Sequence, residues 1–219
     1  MKSTPENRVF LFLQGPHGPF FNRLGRMLRK AGSRVWRVGF NAGDRAFWFH
    51  QSTYIPFRGK SDDWAQTFID LIEEKGVTDI VLYGDTRPIH ASAVAEAKRR
   101  GLGVHVFEEG YMRPFWITYE RGGTNGNSRL MDMTIPQMQK ALANSDMETP
   151  LPPRTLGRYA PSRILWGAIS LVGYVSERRL SQFPPTSQPK RDQRISTVFG
   201  ASFADAMASD RAAHFHTAD

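Results

Sequence analysis

Short runs of uninterrupted apolar residues alternate along this chain with longer stretches in which apolar positions recur every three or four residues. Val9 to Leu13 is apolar throughout, the pattern of a strand covered on both faces of a parallel sheet. The segment Gln14-Gly15-Pro16-His17-Gly18-Pro19 breaks the chain. Phe20, Phe21, Leu24, Met27 and Leu28 then return at helical spacing, with Gly32 as the stop. Arg34 to Phe40 predicts a second strand. Phe47 to His50 fits either a loop or a short helix. Trp64, Phe68, Leu71 and Ile72 mark one face of a helix capped by Asp62 or Asp63 and closed at Lys75-Gly76. Ile80 to Tyr83 is the third predicted strand. Ile89, Ala91, Ala93, Val94 and Ala97 form the next helix, which ends in the basic turn Lys98 to Arg100 and Gly101. Val104 to Phe107 is the fourth predicted strand.

This rhythm of strand and helix predicts an α/β fold, a doubly wound parallel sheet with helices on both faces. Beyond Trp116 the periodicity weakens, and Glu148 to Pro153 reads as a boundary. The expected organisation is a domain over residues 1–150, a linker with an apolar helix over 151–180, and a tail over 181–219. That tail is rich in Pro, Ser, Gln and Arg, and is expected to be disordered or foreign to the domain. The apolar stretch Ile164 to Val175 falls short of the roughly 20 residues that cross a bilayer, and no long apolar region of a secretory signal opens the chain. A cytoplasmic protein, able to lie on a membrane surface, is expected.

Charge changes the picture more than composition does. With 29 Lys+Arg against 21 Asp+Glu the chain carries a formal net charge of +8, which favours anionic partners. The arginines are scattered rather than clustered with aromatic residues, so a nucleic-acid surface is not indicated. The absence of cysteine excludes disulfides, thiolate metal sites and thiol nucleophiles. The histidines show no metal spacing, and no protein-built metal site is expected.

In open α/β sheets ligands bind beyond the carboxyl ends of the strands. Four segments qualify: Gln14 to Gly18, Asn41 to Asp44, Gly84 to Arg87, and Glu108 to Arg113. The first is neither a dinucleotide fingerprint nor a Walker loop. Gly15 and Gly18 serve there either a ligand or a tight turn, while the amide of Gln14 suits substrate contact. Asp85 and the pair Glu108-Glu109 come from successive strands, and a carboxylate held near other acids can serve in acid/base catalysis. Adjacent residues of a strand point to opposite sides, so one of Glu108 and Glu109 is expected in the cleft while the other pairs with a cation. The competing reading of all three acids is structural ion pairs or caps. Arg87 and Arg113 can grip a carboxylate or phosphate in bidentate fashion, or lie solvated at the surface.

Taken together, Phe10 to Pro16, Arg37 to Asp44, Tyr83 to Pro88, Val104 to Pro114 and Trp116 to Gly126 resemble, in the same order, the capsule polysaccharide biosynthesis and export family of the KpsS/LipB type. The resemblance covers roughly residues 8 to 135. It implies a bacterial retaining β-Kdo glycosyltransferase of GT-B type with two facing Rossmann-like domains. Such an enzyme moves Kdo from CMP-Kdo, with no further cofactor, to a phosphatidylglycerol-type lipid acceptor. It implies that Glu108 to Tyr111 supplies an active-site carboxylate, with Glu108 and Glu109 as the catalytic candidates. Gln14, Gly15, Pro16, Asp85, Arg87, Gly110, Tyr111 and Arg113 would bind substrate. An inner-membrane surface and the capsule export machinery are the implied partners. Nothing in residues 150–219 matches the family's second domain, so a shortened chain, inactive on its own, is expected, with a non-enzymatic accessory role in export as the alternative.

Overall fold

The computed structural model describes residues 7–16, 18–110 and 117–143. Six strands form one sheet: β1 (Val9–Phe12), β2 (Arg34–Gly39), β3 (Tyr54–Pro56), β4 (Asp79–Tyr83), β5 (Gly103–Glu109) and β6 (Ile117–Arg121). Their order is β3-β2-β1-β4-β5-β6. The first five are parallel, and β6 returns antiparallel to β5. The helices are α1 (Phe20–Lys30), α2 (Ala42–Ala46), α3 (Trp64–Lys75), α4 (Pro88–Arg99) and α5 (Ile135–Ala143).

Alternation along the strands sends side chains into two cores. Val9, Leu11 and Leu13 of the β1 segment join Ile80 and Leu82 of β4 and Val104 and Val106 of β5 against Trp64, Phe68, Ile89 and Ala93 of α3 and α4. On the opposite face Phe10, Phe12, Val81, Tyr83 and Phe107 pack against Phe20, Phe21, Leu24 and Leu28 of α1, together with Trp48. Every residue from Val9 to Leu13 is fully buried, as an uninterrupted apolar run in a two-faced sheet requires. The Trp64 indole N–H donates to the Ile89 carbonyl at 2.8 Å, tying α3 to α4.

The predicted four strands and their helices are all present. Two strands were not anticipated. β3 has only three residues, too few for a period-two pattern. β6 follows the weakly patterned stretch after Trp116, and its residues are mostly half-buried. Pairing with β6 also carries β5 on to Glu109, opposite Ile117, so Glu108 and Glu109 belong to the strand rather than to the loop after it. Asp63 does not cap α3 with its side chain; its carboxylate accepts from the Lys60 backbone N–H one turn earlier. Phe47 to His50 forms no helix. No helix among the described residues is long and apolar enough to cross a membrane, and Ile164 to Val175 lies outside them.

At the amino end of the central seam a buried polar network joins Arg8, the residue before β1, to strands β4, β5 and β6. Arg8 grips Asp79 through two nitrogens, one of them Nε at 2.9 Å. His105 of β5 donates from Nε2 to Asp79 at 2.9 Å, and its Nδ1 lies 2.7 Å from the Tyr119 hydroxyl of β6. Burial alone would raise the Asp79 pKa. The bonds from His105 and Arg8, with their charge, overcome it and hold this carboxyl well below the usual range. Asp79→Ala, which leaves Arg8 buried without its counter-ion, should cost about 3–5 kcal/mol of unfolding free energy. A guanidinium unfolding curve with an unchanged midpoint would show the pair to be dispensable. Because the folded carboxyl is depressed, its contribution is complete above the ordinary aspartate value of about 3.9 and is lost as pH falls below it.

Candidate functional site

Strand order reverses between β1 and β4, so the loops leaving their carboxyl ends diverge and open a crevice. Gln14 follows β1 and is buried at 3% exposure. Arg87, the residue that precedes α4, reaches across the crevice and donates from Nη1 to the Gln14 side-chain oxygen at 2.7 Å. Burial draws the Arg87 pKa below its ordinary value, while the negative fields of Asp44 and Glu108 oppose that shift. It remains a cation, as arginine does in proteins. Arg87 is half-buried, with access to the crevice.

Asp44, in the short helix α2 that follows β2, is fixed by its own segment. It accepts from Arg37 Nη2 at 2.7 Å and from the Phe40 N–H at 3.0 Å, while its N–H donates to the Asn41 side chain. Arg37 is fully buried beside the rings of Phe21 and Trp48. Gly15 and Pro16 are buried. A Cβ on Gly15 would lie 2.5 Å from the Phe21 ring, so close approach to α1 accounts for this glycine without a ligand.

The adjacent carboxylates separate, as strand alternation requires. Glu108 has the parity of Val106 and therefore lies on the α3/α4 side of the sheet, whereas Glu109 has the parity of Phe107 on the α1 side. Glu108 approaches the turn after β4: a Cβ on Gly84, whose φ is +70°, would sit 3.0 Å from its Oε2. Gly84 thus both takes the left-handed conformation and leaves room for the carboxylate. Gly110 is buried at the end of β5. Tyr111 and Arg113 lie outside the described residues.

Asp85 does not turn to Arg87; no ion pair joins them. One of its oxygens, Oδ2, accepts from the Thr124 N–H at 2.9 Å and from the Asn127 amide at 3.1 Å, clamping the loop after β6 onto the turn after β4. Around this clamp lie buried Glu120, Thr124, Ser128 and His90. Glu120 has its pKa raised by burial and, in smaller part, by Asp85, against a bond with Ser128. His90 contacts the Gly84 carbonyl through Nδ1 at 2.5 Å, and burial pushes its pKa down to about 3. The ring is therefore neutral, with Nδ1 as donor. Asp85 Oδ1, Glu120 Oε2, Thr124 Oγ1 and His90 Nε2 are buried without hydrogen-bond partners.

The structure thus brings Gln14, Arg87, Asp44 and Glu108 to one crevice and sends Asp85 to a neighbouring clamp and Glu109 to the other face. Asp44 and Glu120 were not singled out by sequence reasoning. Asp44 stood at the end of a quoted motif; Glu120 sat in a strand whose pattern was too weak to assign. Among the described residues no three acidic or histidine side chains are grouped to hold a metal ion.

These features define an open, Rossmann-like α/β domain whose crevice offers a positioned cation to an anionic guest. The family model described as capsule polysaccharide biosynthesis protein matches residues 78–157, which contain β4, α4, β5, β6 and the clamp. The chain is 37% identical over 155 residues to the capsule polysaccharide export protein KpsS of Escherichia coli, a match covering 69% of this chain and 39% of that protein. It is 36% identical over 146 residues to the capsule polysaccharide modification protein LipB of Neisseria meningitidis, covering 65% of this chain and 35% of that protein. The chain belongs to the capsule polysaccharide biosynthesis and export family. It spans about two fifths of the length of these relatives.

Two measurements probe the clamp. In Asp85→Ala the amides of Thr124 and Asn127 should exchange with solvent at least tenfold faster while those of β1 and β4 are unchanged, since the local opening loses a charge-assisted bond of about 1.5–3 kcal/mol. Equal protection in both proteins would remove Asp85 as the anchor. Separately, the unfolded imidazole of His90 takes a proton below about pH 6.5 that the folded ring refuses until about pH 3. Its depressed pKa therefore makes stability fall as pH drops through that window. His90→Gln should flatten part of this slope in urea titrations, and an unaltered slope would count against a buried neutral His90.

Proposed function

We propose that this chain forms the acceptor-side half of a GT-B-type retaining β-Kdo transferase. In this reading Kdo passes from CMP-Kdo to a phosphatidylglycerol-type lipid acceptor during capsule synthesis. The observation that carries the reading is Arg87: a half-buried guanidinium held by Gln14 at the reversal of strand order, with Glu108 beside it. Arg87 holds an acidic group of the substrate by paired N–H bonds, and Gln14 keeps its side chain in the crevice. Glu108 presents a carboxylate from which a hydroxyl proton can be taken or returned. Asp85 acts through the loop it clamps rather than by touching substrate. The basic chain is suited to an inner-membrane surface and to partners in the export machinery.

A second reading is a non-enzymatic accessory role, binding anionic polysaccharide or lipid during export. The crevice cation serves it equally, and the chain matches only about two fifths of its relatives.

A transfer assay with CMP-Kdo and a phosphatidylglycerol acceptor separates the two. With this chain grafted in place of the matching segment of the Escherichia coli KpsS relative, the transferase reading expects turnover, lowered about 10²–10⁴-fold in Glu108→Gln, the usual range for a positioned acid or base, and far less in Glu109→Gln. Turnover insensitive to Glu108→Gln removes its catalytic role. No turnover, combined with lipid binding that is lost in Arg87→Ala, leaves the accessory reading.

A further inference from the structure

One strand pair outward from the crevice, at the carboxyl ends of β2 and β3, lies a small pocket open to the surface. Its walls are Phe40, Asn41, Arg45, Tyr54, Phe57 and Arg58. Phe40 and Phe57 are buried and anchored to the core, their rings 5.7 Å apart and each in contact with Trp64. The Tyr54 ring lies across Gly39, where any side chain would collide with it.

The charges of this pocket are unbalanced. Elsewhere on the surface Arg99 and Arg100 are engaged by Glu96 and Glu73. Here no carboxylate lines the walls. Arg45 is exposed and makes only a 3.3 Å bond to the neutral Gln51 side chain, and Arg58 is exposed with no bond at all. Asp44, the nearest acid in sequence to Arg45, is buried and committed to Arg37 and Phe40. Asn41 uses its side-chain oxygen to cap Asp44, which leaves its amide N–H groups as donors.

Two arginines and an amide above an aromatic floor suit a group with several anionic oxygens attached to carbon. A phosphate ester can bond two guanidinium groups at once, while its carbon skeleton covers the rings. We infer that this pocket is a second anion site, specific for phosphate esters, with Arg45 and Arg58 on the phosphate and Phe40, Tyr54 and Phe57 beneath the attached carbons. The site opens on the same sheet edge as Arg87, because both lie at carboxyl ends of parallel strands. It therefore deepens the acceptor reading and rests on it only for the identity of the larger molecule; the phosphate chemistry rests on the pocket.

The test is calorimetric titration of the full chain with glycerol 3-phosphate, with glycerol as the uncharged control. Saturable binding of the phosphate ester alone is expected, weakened about tenfold or more in Arg45→Ala and in Arg58→Ala. Arg26→Ala, which removes one exposed charge on α1, should leave it unchanged. Absence of saturable binding, retention in the Arg45→Ala/Arg58→Ala double variant, or equal loss in Arg26→Ala would overturn the site. Thermal melts establish that the variants fold; should the double variant unfold, Arg45→Gln and Arg58→Gln singly decide. Competition by phosphatidylglycerol vesicles and not by phosphatidylcholine vesicles assigns the site to the lipid headgroup, and binding of glycerol 3-phosphate without such competition assigns it to a soluble phosphate ester. Failure of the transfer assay leaves this titration standing, so the two readings fail separately.

Discussion

The ion pair between Arg8 and Asp79 sits at the point where the sheet changes direction, and both the topology and the crevice depend on it. A buried carboxylate is costly unless its lone pairs are filled and its charge is matched. Asp79 meets that demand with Arg8, His105 and the Thr78 hydroxyl together. Arg8 and His105 can reach it only when β1, β4 and β5 are neighbours in the observed register, with Phe10 opposite Asp79 and Val81 opposite His105. A slip along this seam would strand a charge in the interior. The network thus discriminates among strand pairings that apolar burial alone would tolerate.

The same register determines what stands at the other end of the seam. With Phe12 beside Val81, the chain leaves β1 and β4 at matching heights, and Gln14 and Arg87 meet across the gap. Arg87 is then held between two carboxylates without being neutralised by a direct bond to Asp85, which has its own task in the loop after β6. A cation that is positioned but still half-exposed is suited to an incoming anion, because little side-chain entropy remains to be lost on binding. Asp85, Glu120 and Thr124 each bury an oxygen without a hydrogen-bond partner around the clamp that follows β4.

Membership of the capsule polysaccharide family gives this arrangement a biological setting, and the matched region falls on the elements that build the clamp and the strand bearing Glu108. The relatives are considerably longer than this chain.

Much of the architecture was determined by local pattern. The apolar run Val9 to Leu13 reads as a two-faced central strand, and helices with one apolar stripe alternate with the strands, so the type of sheet followed from the sequence. The alternation of a strand likewise dictated that Glu108 and Glu109 part company. Which of them joined Arg87 did not follow, because that depends on how β5 is rotated against α3 and α4. Only the tertiary structure decided that Asp85 faces Thr124 rather than Arg87, that a weakly patterned segment closes the sheet as an antiparallel β6, and that Asp44 belongs with the crevice. Each of these is a contact between residues distant in sequence or dependent on a neighbouring strand. A chain read one element at a time carries the propensity for such contacts but not the burial that selects among them.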